Sequence, residues 1–201
     1  MSLAVAATVF ALIVPAELPD KTFVATLVLA TRFRGVPVLI GAALGFAVQC
    51  AIAVGAGSAV ALLPKTPVHA VTAAIFALGA VLMLRPVNDS AKEQREVESE
   101  LDDVPAEPST LRVILTSFLV LFIAEWGDLT QLLTASLSAK YHQPFSVFTG
   151  SLLGLVTVAA LGVTGGKALL RVVPMTWVRR IAAAAFGAVA VITGLEAASV
   201  L

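Results

Sequence analysis

Charge is scarce in this chain, and that scarcity is the most restrictive fact about it. Only 13% of its 201 residues are charged, while 59% are apolar. A soluble domain of this length needs more charge on its surface. The single cysteine, Cys50, excludes an internal disulfide and any thiolate cluster. Within its apolar segment it reads as a small buried hydrophobe. The two histidines, His69 and His142, lie near segment ends and out of metal-ligand spacing, and both read as interfacial residues. No nucleophile–base pair, phosphate loop or cofactor motif is present, which argues against an enzyme. No resident cofactor and no nucleic-acid partner are expected.

Long apolar runs are what the chain has instead. Six segments approach or exceed the ~20 residues that cross a hydrocarbon core of about 30 Å. They are Leu3–Thr31, Val38–Leu63, Val68–Leu84, Leu111–Lys140, Phe145–Val172 and Thr176–Val200. The first lacks a charged leader region and runs straight into Glu17 and Lys21, so it reads as a membrane helix rather than a signal peptide. The first and fourth are long enough to tilt or to contain a break. Between the third and fourth lies the only hydrophilic stretch, Arg85 to Thr110, with eight acids against three bases. Its composition predicts a flexible, solvated cytosolic linker.

The two sides of that linker resemble each other. An offset of 108 residues pairs Glu17 with Glu125, Asp20 with Asp128, Thr22 with Thr130 and Thr26 with Thr134. It continues through Arg32 with Lys140 and Phe33 with Tyr141. With one residue inserted, Gly41 and Gly45 meet Gly150 and Gly154. Such a sustained offset marks an internal repeat. Each unit carries three helices, an odd number, so the second enters the membrane from the opposite face. The expected fold is therefore an all-α integral membrane protein, its six transmembrane helices forming two inverted three-helix repeats. Residues 1–84 make the first repeat, 85–110 the acidic linker and 111–201 the second repeat.

Orientation follows from the basic residues. Arg32, Arg34, Arg85, Lys92, Arg95, Arg112, Lys167, Arg171, Arg179 and Arg180 fall on one side, against only Lys65 and Lys140 on the other. By the positive-inside rule both termini face outward and the linker faces the cytosol. The glycine pairs Gly41/Gly45 and Gly150/Gly154 permit close helix contact and predict that the second and fifth helices join the halves.

The acids carry the chemistry. Of thirteen, eight lie in the linker and Glu196 lies near the C-terminus; the other four are Glu17, Asp20, Glu125 and Asp128, in two Glu-x-x-Asp pairs within apolar segments. Carboxylates inside a bilayer are costly and usually functional. On a continuous helix, i and i+3 share a face with Cβ atoms roughly 5–6 Å apart. Two such faces meeting near the midplane make one site from two halves. Thr22, Thr26, Thr130, Thr134 and Gln131 add neutral oxygens. An all-oxygen set suits hard cations such as Mn²⁺, Ca²⁺ or Mg²⁺ rather than Zn²⁺ or Cu⁺. Pro15 and Pro19 remove amide donors, freeing the carbonyls of Ala11 and Pro15. Gly127 replaces proline in the second motif, which predicts a softer break there. Lys21, at i+4 from Glu17, is placed to pair with it. Four acids against Lys21 leave a charge of −3 when all are ionised. Crowding and desolvation favour protons on such a site when it holds no metal. A metal ion displaces those protons, a direct route to cation/proton exchange.

At these residues the chain resembles the Gdt-one family of cation/proton antiporters. That family is marked by twin Glu-x-Gly-Asp-(Lys/Arg)-(Thr/Ser) motifs on the first helices of two three-helix halves. It includes Golgi manganese/calcium transporters, chloroplast relatives and MneA-type bacterial manganese exporters. The resemblance covers nearly the whole chain. Glu17, Asp20, Lys21 and Thr22 match the first motif, with Pro19 in place of its glycine. Glu125, Gly127, Asp128, Thr130 and Gln131 match the second, with Leu129 in place of the basic residue. The resemblance implies export of Mn²⁺ or Ca²⁺ against protons, with Glu17, Asp20, Glu125 and Asp128 as metal ligands. The bilayer and the divalent ion are then the expected partners, homo-oligomer formation stays open, and a bacterial inner membrane is the expected location. A passive divalent-cation channel and a small organic-solute exporter are the alternatives. The concentration of polar groups at one level argues against a channel, and four acids suit an anionic solute poorly.

Overall fold

The computed structural model describes residues 2–18, 20–84, 95, 97–99, 101, 108–172 and 174–199. Pro19 and most of the linker lie outside these residues. Among the described residues the chain is helical and contains no strand. Its helices of twelve or more residues are α1 (Leu3–Glu17), α2 (Lys21–Arg32), α3 (Gly35–Val60), α4 (Lys65–Leu84), α5 (Thr110–Ala124), α6 (Leu129–Tyr141), α7 (Pro144–Val172) and α8 (Met175–Ser199). Four of these, α3, α4, α7 and α8, contain stretches long and apolar enough to cross a membrane alone. The pairs α1–α2 and α5–α6 pass the same test together, each as one bent span.

Local chemistry explains where the helices start and stop. Ser2 accepts the Val5 N–H and Ser109 accepts the Arg112 N–H, each satisfying a donor the helix leaves free. Pro144 opens α7, where a missing N–H costs nothing. His142 closes α6 in the left-handed region at φ 52°.

The long first and fourth segments are each broken, not merely tilted. The axes turn by 70° between α1 and α2 and by 75° between α5 and α6. The second break is therefore no softer than the first. Gly127 sits at φ +74°, a conformation that glycine adopts freely, so the chain turns sharply without a proline.

The glycines define the packing, and not in the expected pairing. Although α3 and α7 do touch, their glycine pairs face the broken spans. A Cβ at Gly41 would strike the carbonyl oxygen of Ile114 and lie 2.8 Å from Ser117 Cβ. A Cβ at Gly150 would strike the carbonyl oxygen of Ala6 and lie 2.9 Å from Val9 Cβ. Gly45 faces Phe118, and Gly154 faces Ile13 and Phe10. So α3 lies along α5 and α6, while α7 lies along α1 and α2. The remaining helices, α4 and α8, pack on each other, with Phe76 and Phe186 edge to face at 5.6 Å.

The core runs through all these contacts, from Val9 and Ile13 to Phe46, Leu121, Leu133 and Leu137. Leu101, from the linker, is also fully buried in it. The linker is therefore not solvated along its whole length.

A candidate cation site at two helix breaks

Both acidic motifs have the same backbone form. Glu17 is the last residue of α1 and Asp20 the N-cap of α2; Glu125 is the C-cap of α5 and Asp128 the N-cap of α6. In each, the aspartate N–H donates to the glutamate carbonyl, at 3.0 Å and 3.2 Å. The Glu and Asp of a pair therefore flank a sharp bend and do not share one helix face. An i, i+3 relation holds only on a continuous helix, and here the helix stops between them.

Each glutamate stands at the negative end of a helix macrodipole, an unfavourable place for an anion. Burial adds to that cost. Glu17 is 0% and Glu125 2% exposed. The hydrogen bonds they accept cross between the halves: Thr130 donates its hydroxyl to Glu17, and Thr22 donates its hydroxyl to Glu125. Asp128 Oδ2 accepts the N–H of Thr130 at 3.4 Å, capping α6. Carboxylate oxygens of Glu17, Glu125 and Asp128 all lie within 4.8 Å of one another. Asp20 stands outside this tight group but close enough to interact electrostatically with Glu17, Glu125 and Lys21.

One atom tests whether a cation suits the group. Glu17 Oε2 is buried without a hydrogen-bond partner. Buried polar atoms are nearly always satisfied, and an orphaned carboxylate oxygen beside two further carboxylates is satisfied by a cation or a proton. The donor set fits: it is all oxygen and strongly anionic.

Other residues fall in different places than the spacing suggests. Lys21 does not pair with Glu17; its ammonium lies 3.4 Å from Asp128 Oδ1 in the opposite half. The break that ends α1 at Glu17 removes the i, i+4 geometry. Thr26 donates back to the Thr22 carbonyl at 2.6 Å, within its own helix. Thr134 is paired with Ser151 at 3.1 Å and lines a small cavity with Glu125 and Thr130. The Gln131 side-chain oxygen Oε1 accepts the Gly127 N–H at 2.9 Å. In this conformation it is a strut and not a free ligand oxygen.

That strut leads to a residue sequence reasoning missed. Gln131 Nε2 donates to Gln49 Oε1 at 2.6 Å, and Gln49 Nε2 donates to the Phe122 carbonyl at 2.7 Å. Gln49 is 3% exposed on α3, and Cys50 beside it lines the same cavity. A polar residue amid an apolar helix was the available signal. The first acidic motif has no equivalent relay, since the repeat offsets place Val158 and Phe23 at the positions of Gln49 and Gln131. Replacing Gln49 by Leu leaves the Phe122 carbonyl and the Gln131 amide unpaired. The expected cost is about 2 kcal/mol, read as a lower unfolding midpoint of the detergent-solubilised protein; an unchanged midpoint would show that the relay contributes nothing.

Comparison with known proteins decides the family. The profile described as "Divalent cation/proton antiporter GDT1" matches residues 5–91 and 113–200, leaving out part of the linker. The chain belongs to the GDT1 family. It is thus a membrane transporter of a cation/proton antiporter family and not an enzyme. Among GDT1 relatives, the GDT1-like protein sll0615 of Synechocystis is 32% identical over 168 residues, covering 78% of this chain and 80% of that protein. The GDT1-like protein 3 of Arabidopsis thaliana is 27% identical, covering 80% of this chain and 60% of its own. Protein PAM71, chloroplastic, of the same plant is 28% identical, covering 81% and 49%. This chain therefore spans most of the cyanobacterial relative but only half to three-fifths of these plant proteins. No solved structure matches it.

Proposed function

We propose that this GDT1-family protein exports Mn²⁺, with Ca²⁺ as the alternative cargo, from the cytosol in exchange for protons. One observation carries the reading. Two matched helix breaks bring Glu17, Glu125 and Asp128 within 4.8 Å across the two halves, with Glu17 Oε2 buried and unpartnered. Protons and the divalent ion compete for the same oxygens, so loading one releases the other. Asp20 supplies further negative charge, and Thr22 and Thr130, now turned to the glutamates, are the nearest neutral oxygens.

Alternating access would come from two inverted repeats rocking around the site. The packing supports such a relation. Under the repeat offsets, the Gly41 contact with Ile114 corresponds to the Gly150 contact with Ala6, and Gly45 with Phe118 to Gly154 with Phe10. The placement of basic residues supports outward termini and a cytosolic linker, and a cyanobacterial relative fits a bacterial membrane.

Reconstitution in liposomes tests the proposal. An imposed pH gradient should drive Mn²⁺ or Ca²⁺ movement, and Asp128→Asn should abolish it in folded protein. Flux indifferent to the pH gradient would replace exchange by a channel or uniporter. Flux of neither ion would return the organic-solute reading.

A further inference from the structure

Asp128 has both oxygens engaged. Oδ2 holds the Thr130 N–H at the start of α6, and Oδ1 holds the Lys21 ammonium at 3.4 Å. Yet Asp128 is one of the three acids of the cation group. A hydrogen-bonded carboxylate oxygen keeps a second lone pair for a metal ion. The ammonium on Oδ1 would nevertheless stand beside that ion and repel it, so of the two contacts this one opposes binding. Losing the Thr130 contact would uncap α6. The Lys21 contact is easier to release: its side chain is 34% exposed and its stem is long and flexible. Lys21 is also not there for its own helix, because a cation in the first turn of α2 opposes the macrodipole. What it faces is acid, namely Asp128 at contact distance, with Asp20 and Glu125 within its field.

The second half lacks this arrangement. The counterpart of Lys21 is Leu129, which packs against the core near Gly79, 3.4 Å from where that residue's Cβ would stand. The fixed positive charge is thus one-sided.

We propose that Lys21 is a tethered stand-in for the transported cation: its ammonium occupies Asp128 when no metal is bound, is displaced when metal arrives, and returns to help expel it. This rests on the cation/proton reading of the site. The physical ground is Coulombic. A divalent ion on Asp128 would stand beside the ammonium, and the repulsion scales with the ion's double charge. The wild-type chain should therefore bind its ion more weakly and release it faster than a chain lacking that charge.

The test is Mn²⁺ flux and equilibrium Mn²⁺ binding by the full-length protein, unsubstituted and as Lys21→Met, Lys21→Gln and Lys21→Arg. Met and Gln should lower both the dissociation constant and the half-saturating concentration about tenfold and reduce the maximal rate. Arg, which keeps the charge, should keep the weaker affinity. If Met and Gln variants that melt like the parent bind Mn²⁺ no more tightly, or more weakly, Lys21 is a scaffold for Asp128 and the inference fails. Failure of the unsubstituted protein to bind Mn²⁺ or Ca²⁺ at all would overturn the site reading itself, and this inference with it.

Discussion

Glu17→Gln is expected to abolish exchange while leaving a protein at least as stable as the parent. The substitution nearly preserves shape and keeps an acceptor for the Thr130 hydroxyl. What it removes is an ionisable carboxyl group that is fully buried with Oε2 unpartnered. The neutral amide neither carries a buried charge beside neighbouring acids nor needs a proton to avoid one, so the unfolding midpoint should hold or rise. Cation binding should move the opposite way. Loss of one charged ligand from a buried cluster is worth about 3 kcal/mol or more, or over a hundredfold in affinity. Opposite signs in the two measurements are the signature of a residue retained for function at the expense of stability. A variant that binds Mn²⁺ and Ca²⁺ like the parent would remove Glu17 from the site. One that unfolds at a lower temperature would show that Glu17 is chiefly structural.

The second large effect concerns the glycines. Gly41→Val and Gly150→Val should each cost about 3 kcal/mol or more, at the upper end of overpacking effects. In both positions the first added atom meets a backbone carbonyl, of Ile114 or of Ala6. Backbone inside a packed helix cannot turn away as a long side chain can. Between membrane helices, close van der Waals contact is itself a main source of attachment, so separating α3 from α5 removes what holds them together. The internal control is Gly55→Ala. A Cβ there meets nothing within 4 Å, and alanine is the better helix former by about 1 kcal/mol. Thermal unfolding in detergent should thus show two strongly destabilised variants and one unchanged or slightly stabilised. Equal effects at all three positions would mean that these contacts do not hold the halves together.

Much of this was legible in the chain itself. Membrane class followed from scarce charge and long apolar runs, because a bilayer admits little else. The repeat and its paired acids followed from one offset, and the motif residues pointed to the family that the profile match then established. Two corrections share one cause. Pairing Lys21 with Glu17 and placing Glu and Asp on one face both assumed an unbroken helix. Spacing rules convert sequence distance into spatial distance only while the helix continues, and both motifs lie where it stops.

The sequence by itself determined which residues are costly in a membrane, that they occur twice, and that their oxygens suit a hard cation. Only the tertiary structure decided which carboxylates meet. It drew Glu17, Glu125 and Asp128 together, set Lys21 against the opposite half, and gave Gln49 a role no spacing predicts. The reason is physical: these hydrogen bonds span 73 to 113 residues of chain and depend on two sharp turns. Local propensity allows a break but does not say what will be waiting on the other side of it.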